Sequence, residues 1–270
     1  MFSFIFVFIF FLIWIVSSIL IFFSKATIWM KFLLFFMFFV TSIICTWLIV
    51  LLLFSISLLI LRSTKIDNIT RQKVLSSISK LIIRFFRIKI IIHNKHLIPK
   101  KGKLIVYSNH KTNFDPFIIA SIFPRTIAFT PKDELYRGFF GWFLGFCFNC
   151  CNCIKIVRGN NRKTVENVLK QINNIQNNLV MIIFHEGGII NYNNDRIISS
   201  LDGSFKIALK SQASILPISI KGISSMRKKC WFRKKKAEIF IHPHIKFEDY
   251  RKQNTKEINN KINKIINNVL

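Results

Sequence analysis

A chain of 270 residues with 40 Lys and Arg against 12 Asp and Glu carries a formal charge of +28, yet 51% of its residues are hydrophobic and 30 are Phe. That pairing points to a phospholipid surface or a phosphorylated ligand, and it excludes a nucleic-acid binder, for which stacking or helix-in-groove signatures are missing. Met1 to Phe23 contains no charged side chain, Lys25 and Lys31 interrupt, and Phe32 to Leu61 is again uncharged. Each run reaches the roughly 20 apolar residues of a membrane span, and the first exceeds the roughly 7–15 of a signal peptide. The expectation is a hydrophobic two-helix membrane anchor over 1–62, turning near Ser24 to Lys31, followed by a domain over 63–270. All 40 basic residues except Lys25 and Lys31 lie from Arg62 onward, with Arg62, Lys65, Arg71 and Lys73 directly after the second run. Basic flanks predict that the domain lies on the cytoplasmic side, against an anionic membrane. A hairpin confined to one leaflet is the alternative topology.

Asp67 to Ser79 is polar enough for a linker or the start of a helix. Beyond Leu81 the pattern is that of an α/β domain. Strands are expected at Arg87 to Ile92, Leu104 to Ser108, Thr126 to Phe129, Ile215 to Ile220 and Glu238 to Ile241. The continuous apolar run Leu179 to Phe184 suits a central buried strand. Pro116 to Ile122 reads as a short helix with Pro in its first turn. Val165, Val168, Leu169, Ile172 and Ile175 recur at helical spacing, and Ser204 to Lys210 looks helical. In the tail, Ile258, Ile262, Ile265, Ile266 and Val269 form one helical stripe, although the Asn and Lys repeats around them also fit disorder. Cys147, Cys150, Cys151 and Cys153 cluster among aromatic and aliphatic residues without a nearby His. They are read as a packing segment rather than a metal site.

One stretch carries chemistry: Tyr107-Ser108-Asn109-His110-Lys111-Thr112-Asn113-Phe114-Asp115-Pro116-Phe117, after a strand and into a helix. His is the natural base near neutral pH. A carboxylate bonded to one ring nitrogen fixes the tautomer, leaves the other nitrogen free for a proton, and stabilises the imidazolium. The N-terminal dipole of the following helix favours negative charge at Asp115. Taken alone, the pair also fits a helix N-cap beside a strand-end polar residue.

Asn-His-x4-Asp followed by an aromatic resembles the first motif of the 1-acylglycerol-3-phosphate acyltransferase family. The resemblance continues in order. Lys132-Asp133-Glu134-Leu135 and Phe139-Phe140-Gly141-Trp142 resemble that family's Lys-x-Glu-Leu segment and Pro-Phe-Phe-Gly-Trp turn, with Gly138 in place of Pro. Ile154 to Arg158 resembles the second motif, with Val157 where Asp is usual. Phe184-His185-Glu186-Gly187 resembles Phe-Pro-Glu-Gly-Thr-Arg, with His185 for Pro, Gly188 for Thr and Ile189 for Arg. Ile215-Leu216-Pro217-Ile218-Ser219-Ile220 resembles the fourth motif.

The resemblance implies an α/β fold, a glycerolipid acyltransferase-like central mixed sheet flanked by helices. It implies an acyl-CoA or acyl-carrier-protein thioester as co-substrate, a lysophospholipid acceptor, and neither cofactor nor metal. His110 is then the base and Asp115 its partner. Arg158 would hold the acceptor phosphate, with Asn109 and Glu186 also in the substrate site and backbone amides near Gly187 and Gly188 facing the oxyanion. Because Ile189 removes one phosphate ligand, Lys155, Arg162, Lys163 and Arg196 are candidate substitutes. Another lysophospholipid, glycerol 3-phosphate, or a non-catalytic lipid-binding role are the alternatives.

Overall fold

The structure, a computed structural model, describes residues 1–138, 140–155, 161–189, 193–228 and 233–270, with all their side chains except those of 161–166, 168, 227 and 228. It divides into two compact units, Met1–Ile60 and Leu61–Leu270.

The first unit holds α1 (Phe2–Phe23) and most of α2 (Ile28–Arg62). Aromatic pairs join them: Phe2 with Phe54, Phe6 with Trp47, Phe10 with Phe39 and Trp14 with Phe35, ring centroids 5.2–6.1 Å apart. Partner numbers fall as α1 numbers rise, so the helices run antiparallel, and such edge and tilted contacts add to the area they bury. On α2 the buried positions Ser42, Thr46, Val50, Phe54 and Leu58 recur every fourth residue, the spacing of one helix face. The Ser42 and Thr46 hydroxyls donate to the carbonyls of Phe38 and Ser42, which removes the cost of burying them. Most other large apolar side chains of both helices are exposed, and both helices are long and apolar enough to cross a membrane.

In the second unit six strands form one mixed sheet: β1 (Ile88–His93), β2 (Leu104–Ser108), β3 (Ile127–Phe129), β4 (Val180–Phe184), β5 (Ser214–Lys221) and β6 (Lys235–Ile241), in the order β1-β6-β5-β2-β4-β3. All neighbours are parallel except β5 and β6. The helices are α3 (Ile69–Phe85), α4 (Asp115–Ile122), α5 (Gly141–Cys150), α6 (Asn161–Gln176), α7 (Lys206–Ser211) and α8 (Thr255–Asn267). Leu104 and Val106 of β2 belong to the core that Ile83 of α3 and Ile118, Ile119 and Ile122 of α4 share with the sheet. Tyr107, pointing the opposite way in a pleated strand, stacks on Phe205 at 4.2 Å and donates to the Ser204 carbonyl.

The polar segment from Asp67 is a helix rather than a linker. Asn68 caps α3 through the Thr70 amide, 2.9 Å away, and Gln72 reaches the Ala120 and Phe123 carbonyls. The tail is also helical. Asn254 and Glu257 form a capping box, and Ile258, Ile262 and Ile266 are buried. Sequence patterning missed α5, because apolar residues surround it and leave no periodicity to detect. The strand expected from Glu238 starts earlier, at Lys235, and pairs there with β1.

Candidate active site

Parallel register assembles the site. Ser108 of β2 lies opposite Phe184 of β4. Two residues further along each strand stand His110 and Glu186, so segments 76 positions apart leave the sheet side by side. This is the carboxyl end of a parallel strand pair, where open α/β sheets place their ligand sites.

His110 Nδ1 lies 2.9 Å from Asp115 Oδ2, and Asp115 is fully buried while the His110 side chain is 18% exposed. The same Oδ2 accepts from the Lys111 and Thr112 amides at 2.7 and 2.9 Å, and Oδ1 accepts from the Thr112 hydroxyl at 2.6 Å. Asp115 is therefore no N-cap. It is the first residue of α4, after Phe114 at the cap, and its carboxylate folds back to close the loop 110–115. The imidazole stacks on Phe184, centroids 4.3 Å apart and planes inclined 21°. Held at Nδ1 and on one face, the ring keeps Nε2 as the nitrogen available to a ligand.

Glu186 is 3% exposed. Its Oε1 accepts from the His110 amide at 2.8 Å, and Oε2 pairs with the ammonium of Lys111, which is itself fully buried. Burial raises the Glu186 carboxyl above its usual range, opposed by the hydrogen bonds from Lys111 and His110. Lys111 was not singled out by sequence, where lysines are too abundant to weigh individually. Its position beside His110 was the available signal.

Asn109, expected among the substrate-binding residues, is fully buried and committed to the fold. Its amide nitrogen donates to the Ile220 and Asp195 carbonyls, and its oxygen accepts from the Ile220 amide. It ties the end of β2 to β5. Asp195, which sequence reasoning missed, accepts from the Gly222 and Ser224 amides at 2.6 and 2.7 Å and holds the turn after β5.

Gly187 has φ +71° and lies against Leu201, whose Cδ1 would stand 2.6 Å from an added Cβ. Its amide donates to the Phe184 carbonyl, so it is used within the turn. The Lys132 ammonium lies over Gly188, where it would clash with a Cβ. A threonine there would displace it. Arg158 falls outside the described residues, as do Phe139 and Val157 and the side chains of Arg162 and Lys163. Lys155 pairs with Asp133 and sits 4.9 Å over the Tyr136 ring.

His185 is 1% exposed, and burial lowers its pKa to about 4. Its Nε2 is 2.7 Å from Asn263 Oδ1. Asn263 also donates to Ser200, whose hydroxyl donates to Asn259, while Asn267 holds both the amide and the carbonyl of Ile197. Three asparagines one helical turn apart on α8 thus fix the segment 197–200 and the third-motif turn. Among the described residues no three His, Cys, Asp or Glu side chains group as metal ligands. Burial pushes the Cys147 and Cys153 thiols up to about 12, so they are inert at neutral pH.

Residues 89–221 match the Acyltransferase family. The chain is 28% identical over 183 residues to the 1-acyl-sn-glycerol-3-phosphate acyltransferase of Borreliella burgdorferi, covering 63% of this chain and 68% of that one. It is 28% identical over 162 residues to a probable 1-acyl-sn-glycerol-3-phosphate acyltransferase of Mycoplasma pneumoniae, covering 56% of each. The crystal structure of the 1-acyl-sn-glycerophosphate acyltransferase PlsC from Thermotoga maritima shares the fold, with TM-score 0.57 and 20% identity over 81% of this chain and 93% of that one.

Proposed function

We propose, from the match of residues 89–221 to the Acyltransferase family, that this chain transfers an acyl group from a thioester to the free hydroxyl of 1-acylglycerol 3-phosphate, giving phosphatidic acid. The observation that carries this is the 2.9 Å contact between His110 Nδ1 and a carboxylate, Asp115, that is saturated with hydrogen bonds. A lipid alcohol is a poor nucleophile until a base removes its proton. His110 Nε2 takes that proton as the alcohol oxygen attacks the thioester carbonyl. The tetrahedral oxyanion collapses, the carbon–sulfur bond breaks, and the proton passes from the imidazolium to the departing thiolate. Asp115 keeps the neutral ring in the Nδ1–H tautomer and stabilises the imidazolium between these steps.

The carrier of the thioester is coenzyme A or acyl carrier protein, and the reading needs no metal or cofactor. Glu186 holds the His110 backbone and Lys111, so its part is to position the base. Asn109 positions the loop in the same way. The Gly188 amide, beside the Lys132 ammonium, is the donor best placed for the oxyanion or the acceptor phosphate, because the Gly187 amide is taken. Arg158 remains the second-motif phosphate ligand in this reading. The domain works on the cytoplasmic side of an anionic membrane, anchored through α1 and α2. A second reading, an acceptor with a larger head group, is favoured by one feature: Ile189 supplies no charge where the family's third motif has Arg.

The test is acyl transfer by purified protein to a panel of lysophospholipids and glycerol 3-phosphate. Release of free thiol should be fastest with 1-acylglycerol 3-phosphate. His110→Ala should lower the rate by about 10²–10⁴-fold, the usual contribution of a general base. A preference for another acceptor selects the second reading, and an unchanged rate in His110→Ala rejects the mechanism.

A further inference from the structure

The ten residues of α5 include Trp142, Phe143, Leu144, Phe146 and Phe148 and no charged side chain. A helix that is apolar all round belongs inside a core or a bilayer. Yet only Gly141, Gly145 and Cys150 of α5 are buried. Trp142 is 80% exposed, and Phe140, just before the helix, 69%. The covered side is lined by glycine: an added Cβ would come within 2.5 Å of the Tyr136 backbone at Gly141 and 3.0 Å of its ring at Gly145. Trp142 and Phe140 therefore stand on the open side, while Phe143, Leu144 and Phe146 are half-buried and Phe148 tilts against the Tyr136 ring at 5.4 Å.

Two connections place this surface. At its end, Cys153 Sγ accepts from the Phe129 amide and the Ile154 amide donates to the Phe129 carbonyl, so α5 is fastened to the edge strand β3. Phe129 stacks with Phe184, and Phe184 with His110, at 6.3 and 4.3 Å. On the other side, burial raises the Cys150 thiol, opposed by the positive charges of Arg62 and Arg71. Arg71 donates to the carbonyls of Leu61 and Thr64, the residues where the chain leaves the second apolar helix. If α2 is anchored in a bilayer, the segment next to its end lies at the lipid–water boundary.

We infer that α5 with Phe140 is a third membrane contact, an interfacial helix whose Trp142 face enters the acyl region of the phospholipid leaflet that holds α1 and α2. A ten-residue helix is about 15 Å long, half the roughly 30 Å hydrocarbon core, so it lies along the surface rather than crossing. Trp is the usual interfacial anchor, and Arg137, paired with Asp133 in the turn before α5 and with its side chain 75% exposed, offers a charge to the headgroups. The aromatic row Phe129–Phe184–His110 then lines the route of a membrane-resident acceptor to the base. That last step rests on the proposed acyl transfer; the membrane contact rests only on the anchoring of α1 and α2.

The experiment uses the whole chain in vesicles of phosphatidylglycerol and phosphatidylcholine containing a lipid with a diazirine on its acyl chain. After illumination, adducts are mapped by mass spectrometry. Adducts within 140–148 as well as within 1–62 are expected. Adducts confined to 1–62 would overturn the inference. In the Phe140→Ser, Trp142→Ser variant, labelling of 140–148 should fall at least several-fold while that of 1–62 persists; unchanged labelling of 140–148 would also overturn it. Because labelling needs no turnover, an inactive enzyme leaves this result intact.

Discussion

The loop 110–115 and the turn 184–188 each bury one carboxylate, and they hold it in opposite ways. Asp115 receives four hydrogen bonds, all from donors within five residues. Glu186 depends on donors 75 and 76 positions away, the Lys111 ammonium and the His110 amide. Burial dominates at Glu186 and raises its pKa in spite of both partners. A short loop can surround a carboxylate with its own amides. A turn at a strand end must borrow a cation, and it loses its balance when that cation goes. The two halves of the site should therefore fail differently, one in chemistry and the other in stability.

The sharpest test of that contrast is Asp115→Asn. Asparagine can keep its oxygen toward the His110, Lys111 and Thr112 donors if the Thr112 hydroxyl rotates to accept from the new NH₂. The fold should persist while the charge that stabilises the imidazolium is lost. Turnover should drop on the order of 10³–10⁴-fold, with the denaturation midpoint little changed. Unfolding in step with inactivity would show the loop to be as fragile as the turn. Lys111→Met has the opposite expectation, a loss of about 3–5 kcal/mol in stability from an unpaired buried carboxylate. The sign of its pH dependence follows from the raised Glu186 pKa. Between 4.5 and the raised value the native state binds more protons than the unfolded state, so stability falls as pH rises. The deficit of Lys111→Met should shrink as pH is lowered toward 4.5, measured by denaturant titration in detergent. A deficit independent of pH would mean that Glu186 is not the group left stranded.

The same contrast explains what sequence could reveal. The His110–Asp115 pair was legible because every donor to the Asp115 carboxylate lies within five residues of it. The strands were legible from apolar runs such as Leu179 to Phe184. Lys111 was not, since its partner is set by the β2–β4 register, and nothing local separates it from the other lysines. Asn109 was placed in the substrate site on resemblance, whereas its side chain is taken up by Ile220 of β5, next to β2 in the sheet and distant in sequence, and by the Asp195 carbonyl. The asparagines of α8 read equally as low complexity. Only the packed helix shows that Asn259, Asn263 and Asn267 face one segment. Asn263→Ala strips partners from buried His185 and from Ser200 and should cost about 1–3 kcal/mol, read from the denaturation midpoint; no loss would make the ladder incidental.

The smallest effect at neutral pH, and the most diagnostic on acidification, belongs to His185→Gln. Burial holds His185 neutral, with its pKa lowered from 6.5 to about 4. Between those values the unfolded state binds the extra proton, so this group's contribution rises with pH and is lost as pH falls from 6.5 toward 4. Glutamine offers an amide to Asn263 and has nothing to titrate. Above pH 7 the variant should lie within about 1 kcal/mol of the parent, one hydrogen bond exchanged for another. Below 6.5 the parent should lose stability relative to the variant. Glu186 gains stability over part of the same range, but it is common to both proteins and cancels in the difference. Parallel curves would mean that the imidazole takes up its proton in place, and that the third-motif turn tolerates a buried cation beside Lys111.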